Sequence, residues 1–196
     1  MIQSIKRTIL PVLVGIVLGI ASFYPFTYTN PISLKLIGGV KRGNWITHFD
    51  QSMKNQNPWL RNYVAFIGLL GSIRPEIIYL ETMWDVDGNK ISGDNDYILK
   101  GAPPDCRYWS FVIYDFDNRR MEPFEETIAS SYRTPLQEDG TYEIYLTAHP
   151  ERYPGKQIIN HGGEDFTLTM RVYGPDLAYY EYKNSMPVGS VTKVNQ

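Results

Sequence analysis

One stretch decides the fold, residues 107–115: Arg107-Tyr108-Trp109-Ser110-Phe111-Val112-Ile113-Tyr114-Asp115. It is the densest aromatic and β-branched run after the N-terminal segment, and such side chains favour a pleated, packed surface. The run therefore predicts a strand in the interior of a sheet. Apolar groups occupy both alternating sets of positions, so we expect both faces to be covered. One face should be buried in the core, and the other should meet a second layer, either a helix or another polypeptide.

Strand patterns flank this stretch on both sides. Residues 77–84 and 97–100 precede it, and residues 141–147 and 166–173 follow it with clear period-two alternation. Turn signals separate these segments, and they are Asp87-Gly88, Asp94-Asn95, Asp117-Asn118 and Asp139-Gly140. In the stretch and the two alternating strands, the positions expected to face the core are Trp109, Phe111, Ile113, Tyr142, Ile144, Leu146, Phe166, Leu168, Met170 and Val172.

The composition favours the same fold class. The 196 residues include 15 Tyr, 13 Pro and 16 Gly, with only short periodic segments between them. This predicts a mainly β fold, a jelly-roll-like β-sandwich with one soluble helix, over residues 44–180, followed by a polar tail over 181–196. A formal net charge of -2 and scattered basic residues give no reason to expect nucleic acid as a partner.

The soluble helix is predicted over residues 57–71. Asn57 is placed as the N-cap, Pro58 stands at the first helical position, and Gly71 is the expected stop. Trp59 and Tyr63 fall on one apolar stripe, which continues through Phe66, Ile67 and Leu70. The opposite side is also far from polar, so we expect this helix to be covered almost all round. Its cover is the sheet with its loops, a partner, or the membrane surface.

The N-terminal segment has the features of a membrane anchor. Residues 9–26 carry no charge and are long enough to cross a bilayer as a helix. Lys6 and Arg7 stand before this run, which predicts a cytoplasmic N-terminus and a single-pass inner-membrane protein with a periplasmic domain. Residues 1–28 are then the anchor and 29–43 a juxtamembrane linker or edge strand. A cleaved signal peptide is the alternative, since Gly19-Ile20-Ala21 resembles a cleavage site.

Motifs for chemistry are weak throughout. Asp85, Asp87 and Asn89 concentrate oxygen ligands in one hairpin, but their spacing differs from a calcium-binding loop, and turn formation explains them. We predict no metal and no cofactor. Ser110 lacks a nucleophile-elbow motif, and the acidic run at 122–126 is more simply a solvated loop than a carboxylate pair for glycoside hydrolysis.

The strongest binding candidates come from the outward positions of the alternating strands. Arg171 and Tyr173 on one strand, with Glu143 and Tyr145 on the other, are predicted to share one sheet face with Tyr114 or Tyr79. A fixed guanidinium among aromatic rings suits a sugar, a carboxylate or a protein partner. The simpler alternative is a cross-strand pair of Arg171 and Glu143 under aromatic cover.

In order and spacing, several motifs together resemble a known family: Asp85-x-Asp87-Gly88, Tyr108-Trp109-Ser110, Tyr114-Asp115, Asp139-Gly140 and Arg171-x-Tyr173-x-Pro175. The chain resembles domain-of-unknown-function family 1214 in its small membrane-anchored bacterial form, over nearly all of the soluble part. The resemblance implies a jelly-roll-like β-sandwich, often fused to or encoded beside a companion domain of family 1254. It implies no established catalytic residues. One departure is the loop 155–161, which lacks the usual Trp.

These observations lead to three functional hypotheses. The first is a membrane-anchored, periplasm-facing accessory subunit that is not an enzyme and binds the companion domain or an integral membrane complex. Its binding residues are then Arg171, Tyr173, Tyr145, Glu143 and Tyr114, with Trp59 and Tyr63 of the helix. The second is an enzyme or small-ligand binder acting on a carbohydrate or organic acid around Arg171. The third is a structural envelope protein.

Overall fold

The computed structural model describes residues 2–27, 38–50, 53–66 and 74–194. The chain in these ranges is mainly β, with ten strands in two sheets and few helices. The helices are α1 (Ile2–Thr27), α2 (Pro58–Phe66) and α3 (Ala178–Glu181). The strands are β1 (Val40–Arg42), β2 (Trp45–Thr47), β3 (Ile77–Thr82), β4 (Tyr97–Gly101), β5 (Cys106–Tyr114), β6 (Ile128–Ser130), β7 (Tyr142–Thr147), β8 (Gln157–Asn160), β9 (Thr167–Pro175) and β10 (Ser190–Lys193).

The first sheet has six antiparallel strands in the order β1-β2-β3-β9-β5-β6. The predicted interior strand is confirmed, because β5 lies between β9 and β6. Its register with β9 places Trp109 opposite Val172 and Phe111 opposite Met170. All four side chains are buried, so this face of the sheet forms one wall of the core.

The second sheet has four strands in the order β10-β4-β7-β8, with β7 and β8 parallel. Its inward residues meet those of the first sheet. The Tyr142 ring lies 5.1 Å from the ring of Trp109 and 5.3 Å from that of Phe111, centroid to centroid. The core therefore sits between the two sheets, as alternating strands with one apolar face require. All ten predicted inward positions are buried, which confirms them.

Four strand regions differ from the sequence-based prediction. The hairpin β1–β2 begins inside the expected linker, at residues 40–42, and residues 28–37, on which the edge-strand alternative rested, lie outside the described part. Strand β6 lies in a segment expected to be irregular. Strand β8 was not predicted, and β10 lies in the expected tail yet pairs with β4 over four residues. Each is short, so its few residues carry little pattern and its position depends on distant partners.

The predicted soluble helix is confirmed in its N-terminal part. The Asn57 side chain accepts a hydrogen bond from the Trp59 amide at 2.9 Å, as an N-cap should. The chain itself does not cover the helix all round, since Leu60 is 2% exposed, Trp59 is 37% exposed, and Arg61 lies in solvent. Cover by a partner or by the membrane surface stays a prediction. Over its described residues α2 thus has one covered side. The Tyr63 and Phe66 side chains and the predicted stop at Gly71 lie outside the described part.

Helix α1 contains the predicted anchor. Its residues 9–21 expose their side chains. Among the residues that the structure describes, we find no helix whose length and apolar character suffice to span a membrane. The predicted transmembrane segment is therefore not confirmed.

Candidate binding surface

The outer surface of the six-stranded sheet carries a group of tyrosines around one arginine, here called the Arg171 face. Strand β9 places Arg171 between Tyr79 of β3 and Ser110 of β5, and it places Tyr173 opposite Tyr108. The strand residues follow from period-two alternation, since they are the neighbours of the core-facing positions, and Tyr132 lies just beyond β6. The face comprises Tyr79, Tyr108, Tyr114, Tyr132, Arg171 and Tyr173.

The Arg171 guanidinium is held by phenol rather than by carboxylate. Its Nη2 donates a hydrogen bond to the Tyr114 hydroxyl, and the guanidinium carbon lies 5.7 Å from the centroid of that ring. Its Nε is buried and has no hydrogen-bond partner among the described residues. Within the described ranges, no carboxylate lies at ion-pair distance from this guanidinium. The half-buried positive charge is thus left without a compensating anion from these residues.

Tyr79 interacts electrostatically with Arg171 and with two of the neighbouring tyrosines. Burial raises the pKa of Tyr79, the neighbouring hydroxyls of Tyr173 and Tyr114 raise it further, and the charge of Arg171 opposes them. The Tyr79 phenol therefore stays protonated at neutral pH. This coupling places the four side chains together on one surface.

Three tyrosines form a row that leads from Arg171 to the edge of the sheet. The Tyr173 and Tyr108 ring centroids lie 5.5 Å apart, and those of Tyr108 and Tyr132 lie 5.2 Å apart. Successive rings are tilted by 51° and 41°, and at these distances each ring packs against the next. We call Tyr173, Tyr108 and Tyr132 the tyrosine row.

A cavity of about 290 Å³ adjoins the row at the β6 edge. Tyr108 and Tyr132 belong to both features, and Tyr132 is 81% exposed. The other lining residues are Phe124, Glu125, Ile128, Ser130 and Arg133. This mixture of aromatic and aliphatic walls with a few polar groups is typical of a binding site.

Two of the predicted partners of Arg171 lie on the other sheet, so that part of the prediction is wrong. Glu143 and Tyr145 face outward from β7, which pairs with β4 and β8. There Glu143 accepts hydrogen bonds from the Tyr145 hydroxyl and the Lys156 ammonium, each at 3.2 Å. Alternation identifies outward positions but does not say to which sheet a strand belongs.

The four-stranded sheet carries a second polar group next to that pair. Asp96 is 5% exposed and accepts hydrogen bonds from Thr147 at 2.5 Å and from Tyr153 at 2.9 Å. Arg152 lies 3.5 Å from the same carboxylate. The Tyr153 ring lies 4.6 Å from the Tyr145 ring, which joins the two groups. We call the whole set the Asp96 network: Asp96, Glu143, Tyr145, Thr147, Arg152, Tyr153 and Lys156.

The Asp85 hairpin has the structure of a turn. The Asp85 carboxylate accepts hydrogen bonds from the amides of Asp87 at 3.0 Å and Asn89 at 2.8 Å. Gly88 supplies the positive φ of 83° that the turn requires. In the described part of the chain, His, Cys, Asp and Glu form no group of three placed to hold a metal ion.

The remaining predicted binding residues are on α2. Trp59 is partly exposed there, and the Tyr63 side chain lies outside the described residues. Sequence reasoning missed Tyr132 and did not include Tyr108 among the binding residues. The pairing of Tyr108 with Tyr173 depends on the register of β5 and β9, and the position of Tyr132 depends on the short strand β6. Neither could be read from a single strand pattern.

Residues 76–177 match the family model described as protein of unknown function, DUF1214. The chain belongs to the DUF1214 family. The matched region runs from the start of β3 beyond the end of β9, so it contains the whole Arg171 face and the whole Asp96 network. The earlier resemblance to this family is thereby confirmed.

Two solved structures are similar to this DUF1214 protein. The VPA0106 protein from Vibrio parahaemolyticus matches with a TM-score of 0.58 and 24% identity, over 72% of this chain and 36% of that one. An uncharacterized protein from Burkholderia cenocepacia matches with a TM-score of 0.47 and 16% identity, over 62% and 31%. The chain thus spans about a third of the length of these structures. No curated protein matches it.

Proposed function

We propose that this DUF1214 protein is a membrane-anchored, periplasm-facing accessory subunit without catalytic activity of its own. It binds a companion domain or an integral membrane complex through the Arg171 face. We also propose that its two sheets form a jelly-roll-like β-sandwich. The anchor holds this domain beside its partner at the outer surface of the inner membrane.

The observation that carries the proposal is the half-buried Arg171 guanidinium without a carboxylate partner among the described residues, close to a row of tyrosines whose last ring, Tyr132, is 81% exposed. Tyrosine and arginine are enriched where protein interfaces contribute most binding energy, because they combine large apolar area with hydrogen-bonding groups. Here a tyrosine row adjoins a cavity, and the nearby guanidinium has no carboxylate partner among the described residues. A partner that supplies both apolar area and an anion would satisfy this surface.

The membrane anchor rests on the N-terminal sequence and its exposure. Residues 9–26 carry no charge, and Lys6 and Arg7 precede them. Leu10 is 65% exposed and Ile20 is 68% exposed, which supports lipid as their surroundings, because so large an apolar surface is unfavourable in water.

The length of the relatives supports a companion domain. In the Vibrio parahaemolyticus protein the matched region is 36% of the chain, so other polypeptide accompanies the fold there. We propose that in the DUF1214 protein described here a companion polypeptide covers the Arg171 face.

Co-purification tests the proposal. The tagged full chain is extracted from its native membrane in mild detergent, and its partners are quantified by mass spectrometry and size-exclusion chromatography. We expect one stoichiometric partner that the double variant Tyr108→Ala, Tyr132→Ala loses. The matched control is Tyr182→Ala, an equally polar aromatic that is 67% exposed elsewhere, and it should retain the partner.

Two outcomes contradict the accessory role at this face. One is a monodisperse monomer in the wild type. The other is a partner that the double variant keeps in full, with its thermal unfolding unchanged.

A second candidate function is small-ligand binding at Arg171. Two observations favour it: Arg171 is not paired with Glu143, and a cavity lies two strands away at the β6 edge. A fixed guanidinium among aromatic rings suits a carboxylate or a sugar. Thermal-shift measurements with small carboxylates and uronic oligosaccharides test this. Stabilisation that Arg171→Gln removes and Glu143→Gln preserves would support it, and no stabilisation by any compound would exclude it for these classes.

A further inference from the structure

Another cavity, of about 210 Å³, lies where three segments of the chain meet. These segments are the turn of the β1–β2 hairpin, the residues that follow β3 and the residues that lead into β10. We call it the β10 cavity. It shares no lining residue with the Arg171 face or the Asp96 network. The hairpin and β10 lie outside residues 76–177, so the family match does not extend to two of its three walls.

Hydrogen bonds between the three segments hold the walls of the β10 cavity in place. The Asn44 side-chain amide of the hairpin donates to the Asp85 carbonyl oxygen beyond β3. The Trp45 indole of the hairpin donates to the Gly189 carbonyl oxygen at 2.6 Å, and the Val86 amide donates to a carbonyl oxygen of β10 at 2.8 Å. Each pair of segments is thus bonded, so the cavity is formed in the free protein, which lowers the entropic cost of binding.

The walls of the β10 cavity are mainly apolar and suit one small ring. They consist of two indoles and three valine side chains, from Trp45, Trp84, Val86, Val188 and Val191. An apolar cavity of about 150 Å³ holds benzene, so this larger cavity has room for a six-membered ring and one polar group. The indoles favour an aromatic ring over an aliphatic chain, because paired aromatic rings attract one another beyond the effect of buried area.

Among the residues that line the β10 cavity, Arg42 alone carries a charge. Its Nη1 donates to the Lys183 carbonyl oxygen at 3.5 Å, which is a long and exposed hydrogen bond. Within the described ranges, no carboxylate lies at ion-pair distance from this guanidinium. A guanidinium has five donors in a planar fork that matches a carboxylate, so most of this capacity remains for an anion.

The free edge of β10 adds a backbone donor. Alternate residues of β10 bond to β4, as the Val194 amide does to the Asp96 carbonyl oxygen at 2.9 Å. Val191 is out of phase with Val194, so its amide and carbonyl groups point to the edge where the carbonyl oxygen accepts the Val86 amide. In the part of the chain that the structure describes, the Val191 amide makes no hydrogen bond. The cavity therefore combines apolar walls with donors and a positive charge.

We propose that the β10 cavity binds a small aromatic carboxylate, a single ring that carries one carboxylate group. The ring packs between the Trp84 indole and the valine side chains. The carboxylate pairs with the Arg42 guanidinium and accepts a hydrogen bond from the Val191 amide. Because this site is separate from the Arg171 face, the inference does not rest on the proposed function.

Titration calorimetry with the full chain in detergent tests the assignment. The probe is phenylacetate, and its matched control is phenylacetamide, which has the same ring without the charge. We expect saturable binding of phenylacetate, and binding of phenylacetamide that is about tenfold weaker. Arg42→Gln should weaken phenylacetate binding about tenfold and leave phenylacetamide binding unchanged, because the variant removes the charge alone.

Two further variants locate the charge that the ligand needs. Lys41→Gln removes an exposed charge from the same strand but outside the cavity, and Arg171→Gln removes the guanidinium of the Arg171 face. Both should bind phenylacetate as the wild type does. A loss in Lys41→Gln equal to that in Arg42→Gln would show unspecific attraction, and a loss in Arg171→Gln alone would place the ligand on the Arg171 face. Either result would overturn the inference.

Val86→Trp tests the cavity itself. Val86 lines the cavity and is 47% exposed, so a larger side chain there occupies the cavity without entering the core. Both ligands should lose their binding, whereas Val86→Ala should keep it. Undiminished binding to Val86→Trp, no binding of phenylacetate to the wild type, or equal affinity for hexanoate would overturn the proposal. Thermal unfolding of each variant excludes misfolding as a cause, and Arg42, on the outermost strand β1, is well placed for substitution.

Discussion

The outward faces of the two sheets carry similar residues, but they differ in whether the polar groups have partners within the described chain. On the four-stranded sheet, the Asp96 network pairs each tyrosine with a carboxylate and each carboxylate with a cation. On the six-stranded sheet, the Arg171 face has a guanidinium held by a phenol, and the hydroxyls of its tyrosine row make no hydrogen bond to the residues that the structure describes. A saturated network stabilises the fold, whereas polar groups without a partner contribute little to it and cost free energy where they are buried. Residue type alone does not distinguish these two states.

The largest expected effect comes from breaking the Asp96 network at its centre. Asp96→Ala removes a buried carboxylate and leaves Thr147 and Tyr153 without their acceptor. We expect a loss of roughly 3 to 4 kcal/mol in the free energy of unfolding, measured by urea denaturation. Tyr153→Phe removes only one donor and should cost about 1 kcal/mol. If both variants lose the same amount, Asp96 is not the centre of the network.

Acid should weaken the fold in two separable steps. Burial lowers the pKa of His48 from 6.5 to about 4, and it also lowers that of His161. The unfolded chain then binds protons more tightly, so stability decreases as the pH falls from 6.5 towards 4, by up to about 3 kcal/mol for His48. Urea denaturation between pH 7 and pH 4 measures this step. His48→Gln should flatten it, and an unchanged slope would contradict the role of His48.

The second step belongs to the Asp96 network. Burial raises the pKa of Asp96, but hydrogen bonds from Thr147 and Tyr153 and the charge of Arg152 outweigh it and leave this pKa below 3.8. The stabilisation that the ionised Asp96 carboxylate provides is present above pH 3.8, and it is lost as the pH falls through the lowered pKa of Asp96. Asp96→Ala should therefore reduce the pH dependence below 3.8, where Asp139 and Asp165 also have lowered pKa values, and keep the step above pH 4. If Asp96→Ala instead reduced the step above pH 4 and left the pH dependence below 3.8 unchanged, the assignment of the two steps to His48 and Asp96 would be wrong.

The smallest expected effect is on the Arg171 face. Arg171→Met keeps an apolar stem of similar length and removes a half-buried charge that no described carboxylate compensates. The hydrogen bond to Tyr114 is lost, so we expect a net change within about 1 kcal/mol in either direction. Urea denaturation beside Asp96→Ala gives the direct comparison. A loss as large as that of Asp96→Ala would mean that both faces are structural.

Much of the architecture was predictable because alternation is a local property. The inward residues of β5, β7 and β9 were identified correctly, since a half-buried strand must alternate apolar and polar positions. The cap at Asn57 was also correct, because capping involves only the next few residues. By contrast, strands such as β6, β8 and β10 span three or four residues, and their partners are far away in sequence.

The site was predictable only in part. Arg171, Tyr173 and Tyr114 do share one face, as their alternation in β5 and β9 indicated. Glu143 and Tyr145 do not, although their alternation is just as clear. Tyr132 contributes the most exposed ring of the row, yet no periodic pattern includes it.

The amino-acid sequence by itself determined the mainly β class, the inward face of each long strand and the group of outward tyrosines around Arg171. These follow from side-chain alternation and local propensity, which act over a few residues. Only the tertiary structure decided which sheet each strand joined, and hence that Glu143 pairs with Lys156 while Arg171 lacks a carboxylate partner among the described residues. The physical reason is that strand pairing is set by the packing of the whole core, and a single strand does not encode its neighbour.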